Sequence, residues 1–251
     1  MSEIRSFFSI LLCLSTVFAC KKSNSHTSNS CRITAVYDTL SLPSGTETSS
    51  TRIFYDNDGR IAYTQFNTLN DSSTRVFIYT DSGIVITPTN PNTPYDTILL
   101  DGKGQALRVK QAFPSNDYYT LFTWTHDAAG LVQSYGFLQS TTSGPVTDST
   151  TTTYKFENGD CISSTSSDGT VTNYTYYTDK DAADGDYQRF SELSRYGVII
   201  TRNKHLIRSA HSGTYVSEYN YTFDNAGKIT SAAYRYANQV FKNTYEYDCS
   251  Q

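Results

Sequence analysis

The sequence predicts an all-β protein, an up-and-down antiparallel meander of about fourteen strands, barrel-like or strongly curved, with one short helix near residues 184–196. Three observations carry the prediction: a recurring turn signature, alternation of aromatic and polar residues beside it, and polar connectors between the units. An acidic residue or its neighbour precedes a glycine by two or three places in Asp56-Asn57-Asp58-Gly59, Asp81-Ser82-Gly83, Asp101-Gly102-Lys103-Gly104, Asp127-Ala128-Ala129-Gly130, Glu157-Asn158-Gly159 and Asp224-Asn225-Ala226-Gly227. Each copy is flanked by residues of high strand propensity, as in Arg52-Ile53-Phe54-Tyr55 and Ile61-Ala62-Tyr63-Thr64 around the first.

The turn signature reads as hairpins. Asp at the first turn position bonds its own backbone two residues on, and Gly at the fourth accepts positive φ without steric cost, which gives a hairpin with a G1 bulge. The stretch between Gly159 and Gly227 has room for roughly two more units. A degenerate copy, Ile199-Ile200-Thr201-Arg202-Asn203-Lys204-His205-Leu206-Ile207, fits there with Asn203-Lys204 at its tip. The total is about seven hairpins.

Alternation supports the strands, because residues two apart share a face. Tyr219, Tyr221 and Phe223 alternate with Asn220, Thr222 and Asp224, and Tyr245 and Tyr247 alternate with Thr244, Glu246 and Asp248. In Val76-Phe77-Ile78-Tyr79 and Tyr119-Thr120-Leu121-Phe122-Thr123-Trp124 both faces carry apolar groups, so these strands are expected to be covered on both sides. Polar connectors, Asn67 to Thr74, Thr87 to Tyr95, Phe113 to Tyr118 and Gln139 to Ser149, place tight turns at one end of the sheet and long loops, where binding usually lives, at the other. From Asp184 to Tyr196 the rhythm is helical: Asp186 is a cap, Tyr187, Phe190 and Leu193 recur at threefold spacing, and Gly197 follows. This helix is expected to plug or cover the sheet.

At 251 residues, 18% charged and 37% hydrophobic, the chain can bury one core, so residues 31–251 are expected to form a single β-repeat domain. The net charge of -4 and the lack of a Lys/Arg stripe argue against nucleic acid as a partner. The 21 Tyr, against 13 Phe and one Trp, suit half-buried strands whose hydroxyls stay wet; a sugar-stacking surface that includes Trp124 and loop tyrosines is the functional alternative.

Arg5 is followed by an apolar run from Phe7 to Ala19 and then Cys20. Thirteen residues are too few for a spanning helix, and a small residue before the break marks signal cleavage. Ala19-Cys20 resembles a bacterial lipobox, which makes residues 1–19 a lipoprotein signal peptide, Cys20 the acylated residue and 20–30 a flexible tether. The partner this implies is a membrane, reached through the anchor. Of the remaining thiols Cys31, Cys161 and Cys249, Cys31 opens the first strand and Cys249 closes the last. A closed barrel brings those two together as a candidate disulfide, whereas an open meander keeps them apart.

No catalytic constellation is visible. His26, His126, His205 and His211 form no metal-binding spacing, and His205 and His211 read as exposed hairpin residues. Asp179, Asp181, Asp184 and Asp186 have the alternate oxygens of a calcium loop, but Ala183 and Phe190 stand where ligands are needed, so a solvated loop that caps the helix is the better reading. No pair of carboxylates is singled out for glycoside hydrolysis. The expectation is no metal, no cofactor and no enzyme. Asp38-Thr39-Leu40, Asp96-Thr97-Ile98 and Asp148-Ser149-Thr150 resemble an O-glycosylation signal on exported proteins.

Phe54-Tyr55-Asp56-Asn57-Asp58-Gly59-Arg60-Ile61 and Tyr221-Thr222-Phe223-Asp224-Asn225-Ala226-Gly227-Lys228-Ile229 resemble the tyrosine-aspartate repeats of Rhs-type proteins. With the lipobox, Lys204-His205-Leu206-Ile207 after the helix and the closing Tyr245-Glu246-Tyr247-Asp248, residues 31–251 resemble a Bacteroidota cell-envelope lipoprotein family of unknown function. The resemblance implies a β meander of porin-like shape, lipid-anchored at the outer membrane on its periplasmic or outer surface. A spanning barrel is the rival; the strands lack a steady lipid-facing band, which favours a soluble body on a tether. The function expected is binding of a glycan or another envelope component. The alternatives are a structural or assembly partner of an outer-membrane complex and a glycan-active enzyme.

Overall fold

The computed structural model describes residues 31–89, 95–112, 118–141 and 146–249. Cys20, the signal peptide and the tether lie outside these residues. Sixteen strands follow in order: β1 (Arg32–Leu42), β2 (Gly45–Tyr55), β3 (Ile61–Thr68), β4 (Ser72–Thr80), β5 (Gly83–Pro88), β6 (Tyr95–Leu100), β7 (Ala106–Ala112), β8 (Tyr118–His126), β9 (Val132–Thr141), β10 (Val146–Glu157), β11 (Asp160–Ser166), β12 (Val171–Asp181), β13 (His205–Ser212), β14 (Tyr215–Phe223), β15 (Ile229–Tyr236) and β16 (Gln239–Asp248). One helix, α1 (Tyr187–Tyr196), stands between β12 and β13. Every strand pairs antiparallel with its sequence neighbour, and β1 pairs with β16, so the meander closes into a barrel. Six of the seven hairpins read from the sequence form, as β2–β3, β4–β5, β6–β7, β8–β9, β10–β11 and β14–β15; β12 and β13 are joined through α1, and the two further strands, β1 and β16, close the ring against each other.

The signature turns form as their chemistry dictates. Asp56 Oδ1 accepts the amides of Asp58 and Arg60 at 3.0 and 2.9 Å, Asp101 those of Lys103 and Gln105, and Asp224 those of Ala226 and Lys228. Gly59, Gly104, Gly130, Gly159 and Gly227 have φ between 76° and 90°, the left-handed region that L side chains avoid. The strand register slips by one beside each of them, which is the bulge expected of such hairpins. Gly83 is different. It stands in β5, where an added Cβ would run into the Ile98 carbonyl, so that copy needs glycine for close strand approach.

All six signature turns gather at one end of the barrel, called here the turn end, together with both chain termini and the longest connection, 182–204. The polar connectors leave from the opposite, mouth end. Two features depart from the expected division: connections 43–44, 213–214 and 237–238 at the mouth end are only two residues long, and the Ser167-Asp168-Gly169-Thr170 turn there also uses an Asp-to-amide bond (Thr170 N–H to Asp168 Oδ1, 2.8 Å). The hairpin expected at Asn203-Lys204 does not form. Residues 199–204 are the return from α1: Asn203 accepts the Cys161 amide at 3.1 Å, Lys204 donates to the Gly159 carbonyl at 3.0 Å, and β13 begins only at His205.

One face of the sheet is the core. Val36, Ile53, Ile61, Phe77, Ile84, Ile98, Val109, Trp124, Leu206, Ile229 and Tyr245 point into the lumen and pack with Phe190 and Tyr196 of α1. The other face carries exposed charge: Arg52, Arg108, Lys110, Lys155, Glu218, Arg235, Lys242 and Glu246. The strands expected to be covered on both sides are covered on one only. Val76 and Ile78 remain 37% and 49% exposed, while Phe77 between them is buried against α1. A meander that closes on itself has a single interior, and with the helix inside it no described element covers the outer face.

Candidate binding cavity

The helix creates the site. Asp186 caps it, its carboxylate accepting the amides of Gln188 and Arg189 at 3.0 Å each, and Gly197 ends it at φ 70° with its amide on the Leu193 carbonyl. Beyond Gly197 the Glu192 carboxylate accepts the amides of Ile200 and Thr201 at 2.7 and 2.8 Å, which folds the returning chain against the helix. Burial pushes the Glu192 carboxyl up to about 7, against the amide bonds that pull it down.

The ends of α1 touch opposite walls. Near its start Tyr187 packs on Tyr219 of β14 and Tyr234 of β15, and Phe190 meets Tyr245 of β16 edge-on at 5.4 Å. Near its end Arg195 donates to Gln111 of β7, Tyr196 packs on Trp124 of β8, and Gly197 lies against Phe77 and Tyr79 of β4. The helix therefore lies across the lumen and divides it.

On the mouth side of this partition lies a cavity of about 770 Å³. Its floor is Tyr187, Phe190, Ser191 and Ser194 of α1, and its wall comes from β1, β2, β3 and β16. Register explains which groups face it: Asp38 stands opposite Asn243 on one side and Ser49 on the other, and Leu40 stands opposite Phe241 and Glu47. Phe66 completes the aromatic lining. A track of rings continues to the rim, with Tyr219, Tyr234 and Phe241 in successive contact and Tyr236 stacked on Tyr215. Asp38 has a hydrogen bond from the Ser49 hydroxyl at 3.4 Å, and burial pushes its carboxyl up from the ordinary carboxylate value. On the lumen wall away from the cavity, Asp96 is almost fully buried, and its carboxyl is likewise raised by burial, with Gln111, Arg75 and Arg195 acting against the shift. A second cavity of about 420 Å³ lies on the turn-end side of α1, between Arg32, Tyr55, Asp184 and Arg189.

The sequence candidates fall in different places. Cys31 is joined to Cys249 by a disulfide, over a sequence separation of 218, at the seam where β1 meets β16. Cys161 is a free, buried thiol whose pKa burial pushes up to about 11, which makes it a poor nucleophile. His205 is not an exposed hairpin residue: its Nδ1 lies 2.6 Å from Asp160 Oδ2 and its amide donates to Asp160 Oδ1, which latches the start of β13 to β11. His211 bonds the Ser209 hydroxyl on its own strand. Of the acidic run, Asp186 is buried as the helix cap, and Asp184 offers its backbone carbonyl to Tyr247. Among the described residues no three His, Cys, Asp or Glu side chains converge as a metal site.

Trp124 is not available for stacking a ligand. It is 9% exposed and packed among Phe122, Tyr135 and Tyr196 in the core. Of the residues that line the mouth cavity, Phe66, Phe241 and Glu47 were not singled out by sequence, Tyr187 was named only for the helix face and Asp38 only within the O-glycosylation resemblance. The signal that would have found them is strand parity counted from the turns, combined with the knowledge that the helix enters the lumen.

The fold is similar to that of a porin-like protein from Bacteroides uniformis ATCC 8492, with a TM-score of 0.63 and 14% sequence identity over 86% of this chain and 98% of that one. A porin-like protein from Bacteroides vulgatus ATCC 8482 aligns over the same shares at 12% identity and a TM-score of 0.35. No family model and no curated protein matches the chain. The first of these likenesses shows a porin-like β-barrel fold.

Proposed function

We propose that this chain is a non-enzymatic binding module of the bacterial cell envelope, tethered to a membrane through a lipid on Cys20, which receives the end of a glycan or another envelope component in its mouth cavity. The observation that carries this reading is the cavity itself: about 770 Å³, open at the loop end of a rigid barrel, with aromatic faces for stacking and Asp38, Ser49 and Asn243 for hydrogen bonding. The outward charges support a body surrounded by water, since a spanning barrel carries its apolar face outward and its polar face inward. Other carboxylates have structural work: Asp56, Asp101 and Asp224 hold turn amides, Asp186 caps α1, and Asp160 holds His205.

The test is a binding screen of the full chain in detergent against host, dietary and bacterial polysaccharides, read by gel retardation and sugar release. Retardation by one glycan class, abolished by Ser191→Trp in the cavity floor, is the expected result. Retardation that survives Ser191→Trp would move the site out of the cavity, and sugar release abolished by Asp38→Asn would replace binding by hydrolysis. A second reading, an assembly partner of an outer-membrane complex, is favoured by one observation: Phe54 stacked on Tyr63, with exposed Val76 and Ile78 beside them, forms an apolar stripe on the outer wall. Charged substitutions at Val76 and Ile78 would abolish that association and leave glycan binding intact.

A further inference from the structure

Around the mouth cavity the described charges are of one sign. Among the described residues, the connections 43–44, 69–71, 167–170, 213–214 and 237–238 lie at the mouth end. Their sequences contain Asp71 and Asp168 and no Lys, Arg or His. The turn-end connections mix both signs, Arg60, Lys103, Arg189, Arg195, Arg202, Lys204 and Lys228 standing among Asp56, Asp58, Asp81, Asp101, Asp127, Asp184, Asp186, Glu192 and Asp224. Among the described residues the cavity lining includes Asp38 and Glu47 and no basic residue. The two lumen cations closest in kind, Arg75 and Arg195, stand around the buried Asp96 on another part of the wall, and Arg195 is also bonded to Gln111.

Inside the cavity the negative charge is placed where a cation can use it. Asp38 is partly desolvated, so a positive charge beside it is weakly screened. Its neighbours across the strands, Ser49 and Asn243, are neutral, and the faces of Tyr187, Phe66 and Phe241 are themselves attractive to a cation.

Resting on the cavity reading above, we propose that the mouth cavity selects a sugar carrying a free amine, an amino sugar in its cationic form, over neutral and anionic sugars. The ammonium donates to the Asp38 carboxylate while the pyranose ring stacks on the aromatic lining; Glu47, nearer the rim, attracts the cation on entry. An N-acetylated sugar keeps the ring contacts and loses the charge-assisted bond. A uronic acid meets like charge at both Glu47 and Asp38.

The test is titration calorimetry of the full chain in detergent, at a mildly acid pH, with glucosamine oligomers, the same oligomers N-acetylated, oligogalacturonate and a linear diamine. The expected result is about tenfold tighter binding of the free-amine oligomer than of its N-acetylated form, with no binding of the uronate. Asp38→Asn is expected to erase that preference, weakening the free-amine oligomer about tenfold more than its N-acetylated form, and to leave the melting curve unchanged. Equal affinity for the two oligomers, or a preference that persists in Asp38→Asn, would overturn the amine inference while the glycan reading stands. A diamine that binds as tightly as the amino-sugar oligomer would also overturn it, by assigning recognition to charge alone. No heat from any sugar would sink the glycan reading, and this inference with it.

Discussion

The two ends of this barrel are made from different chemistry. At the turn end, Asp carboxylates hold backbone amides in tight bulged hairpins, a disulfide ties the seam between β1 and β16, and the chain between β12 and β13 folds inward as a helix whose return is pinned by Glu192 and the Asp160–His205 latch. At the mouth end the strands meet in short turns or polar connectors and leave a cavity above the helix. One end stores order and the other leaves space. Where the backbone is fixed by its own side chains, few groups remain for a ligand; a rigid rim with spare polar groups is where binding residues can stand.

That contrast predicts unequal effects of substitution. The largest belong to the turn end and the helix. Phe190→Ala removes a ring packed against Tyr245 at the centre of the partition and is expected to cost about 3 kcal/mol, read by denaturant unfolding. It also lowers the cavity floor, so mouth binding should weaken in the same variant. Opening the seam with Cys31→Ser and Cys249→Ser together should cost about 2–5 kcal/mol, because the link closes nearly the whole chain. Thiol titration of the unfolded protein, restricted to residues 31–251, should find only Cys161 free before that change.

A smaller effect is a pH dependence. Glu192 binds its proton more tightly in the folded state, about 7 against an ordinary value of 4.5, so the folded state holds more protons between those values. Stability should therefore rise as pH falls from about 7 toward 4.5, by up to about 3 kcal/mol if Glu192 acted alone. Asp38, Asp96 and Asp186 are raised as well and add in the same direction. Glu192→Gln can still accept the Ile200 and Thr201 amides, so it should flatten this slope and stabilise the protein above pH 7, in urea melts taken across the range. A slope that persists in the variant would assign it to the other carboxylates.

Turn carboxylates come next. Asp101→Ala loses two amide bonds in its turn and should lower the unfolding midpoint measurably, whereas Asp71→Ala, at the mouth end, should leave it nearly unchanged. Similar costs at the two sites would break the comparison between the ends. The smallest stability effect is expected at Asp38→Asn, within about 0.5 kcal/mol, since burial already disfavours its charge. A loss of affinity at Asp38 without loss of stability would mark the mouth as the functional end.

Much of the fold was legible because its determinants are local. An Asp that bonds amides two and four residues on, followed by a left-handed glycine, is written in five consecutive residues, and so are the Asp186 cap and the Gly197 stop. What could not be read is equally specific. Ile199-Ile200 and Leu206-Ile207 share the hydrophobic look of strands, yet one pair belongs to the return from the helix and the other to β13; the choice was made by Glu192 and Asn203, whose partners are residues brought near by folding. Val76 and Phe77 have equal claims to burial in the sequence, and only the side on which the helix lies separates them.

The sequence by itself determined the hairpins, their bulges, the helix and its two ends, because each depends on bonds between residues a few places apart. The tertiary structure decided that the sheet closes, that the helix enters the lumen and crosses it, and that Asp38, Glu47, Phe66, Tyr187 and Phe241 face one cavity. Those outcomes depend on the pairing of β1 with β16, the most distant strands in the chain, and on strand parity around a ring, neither of which any short window of residues contains.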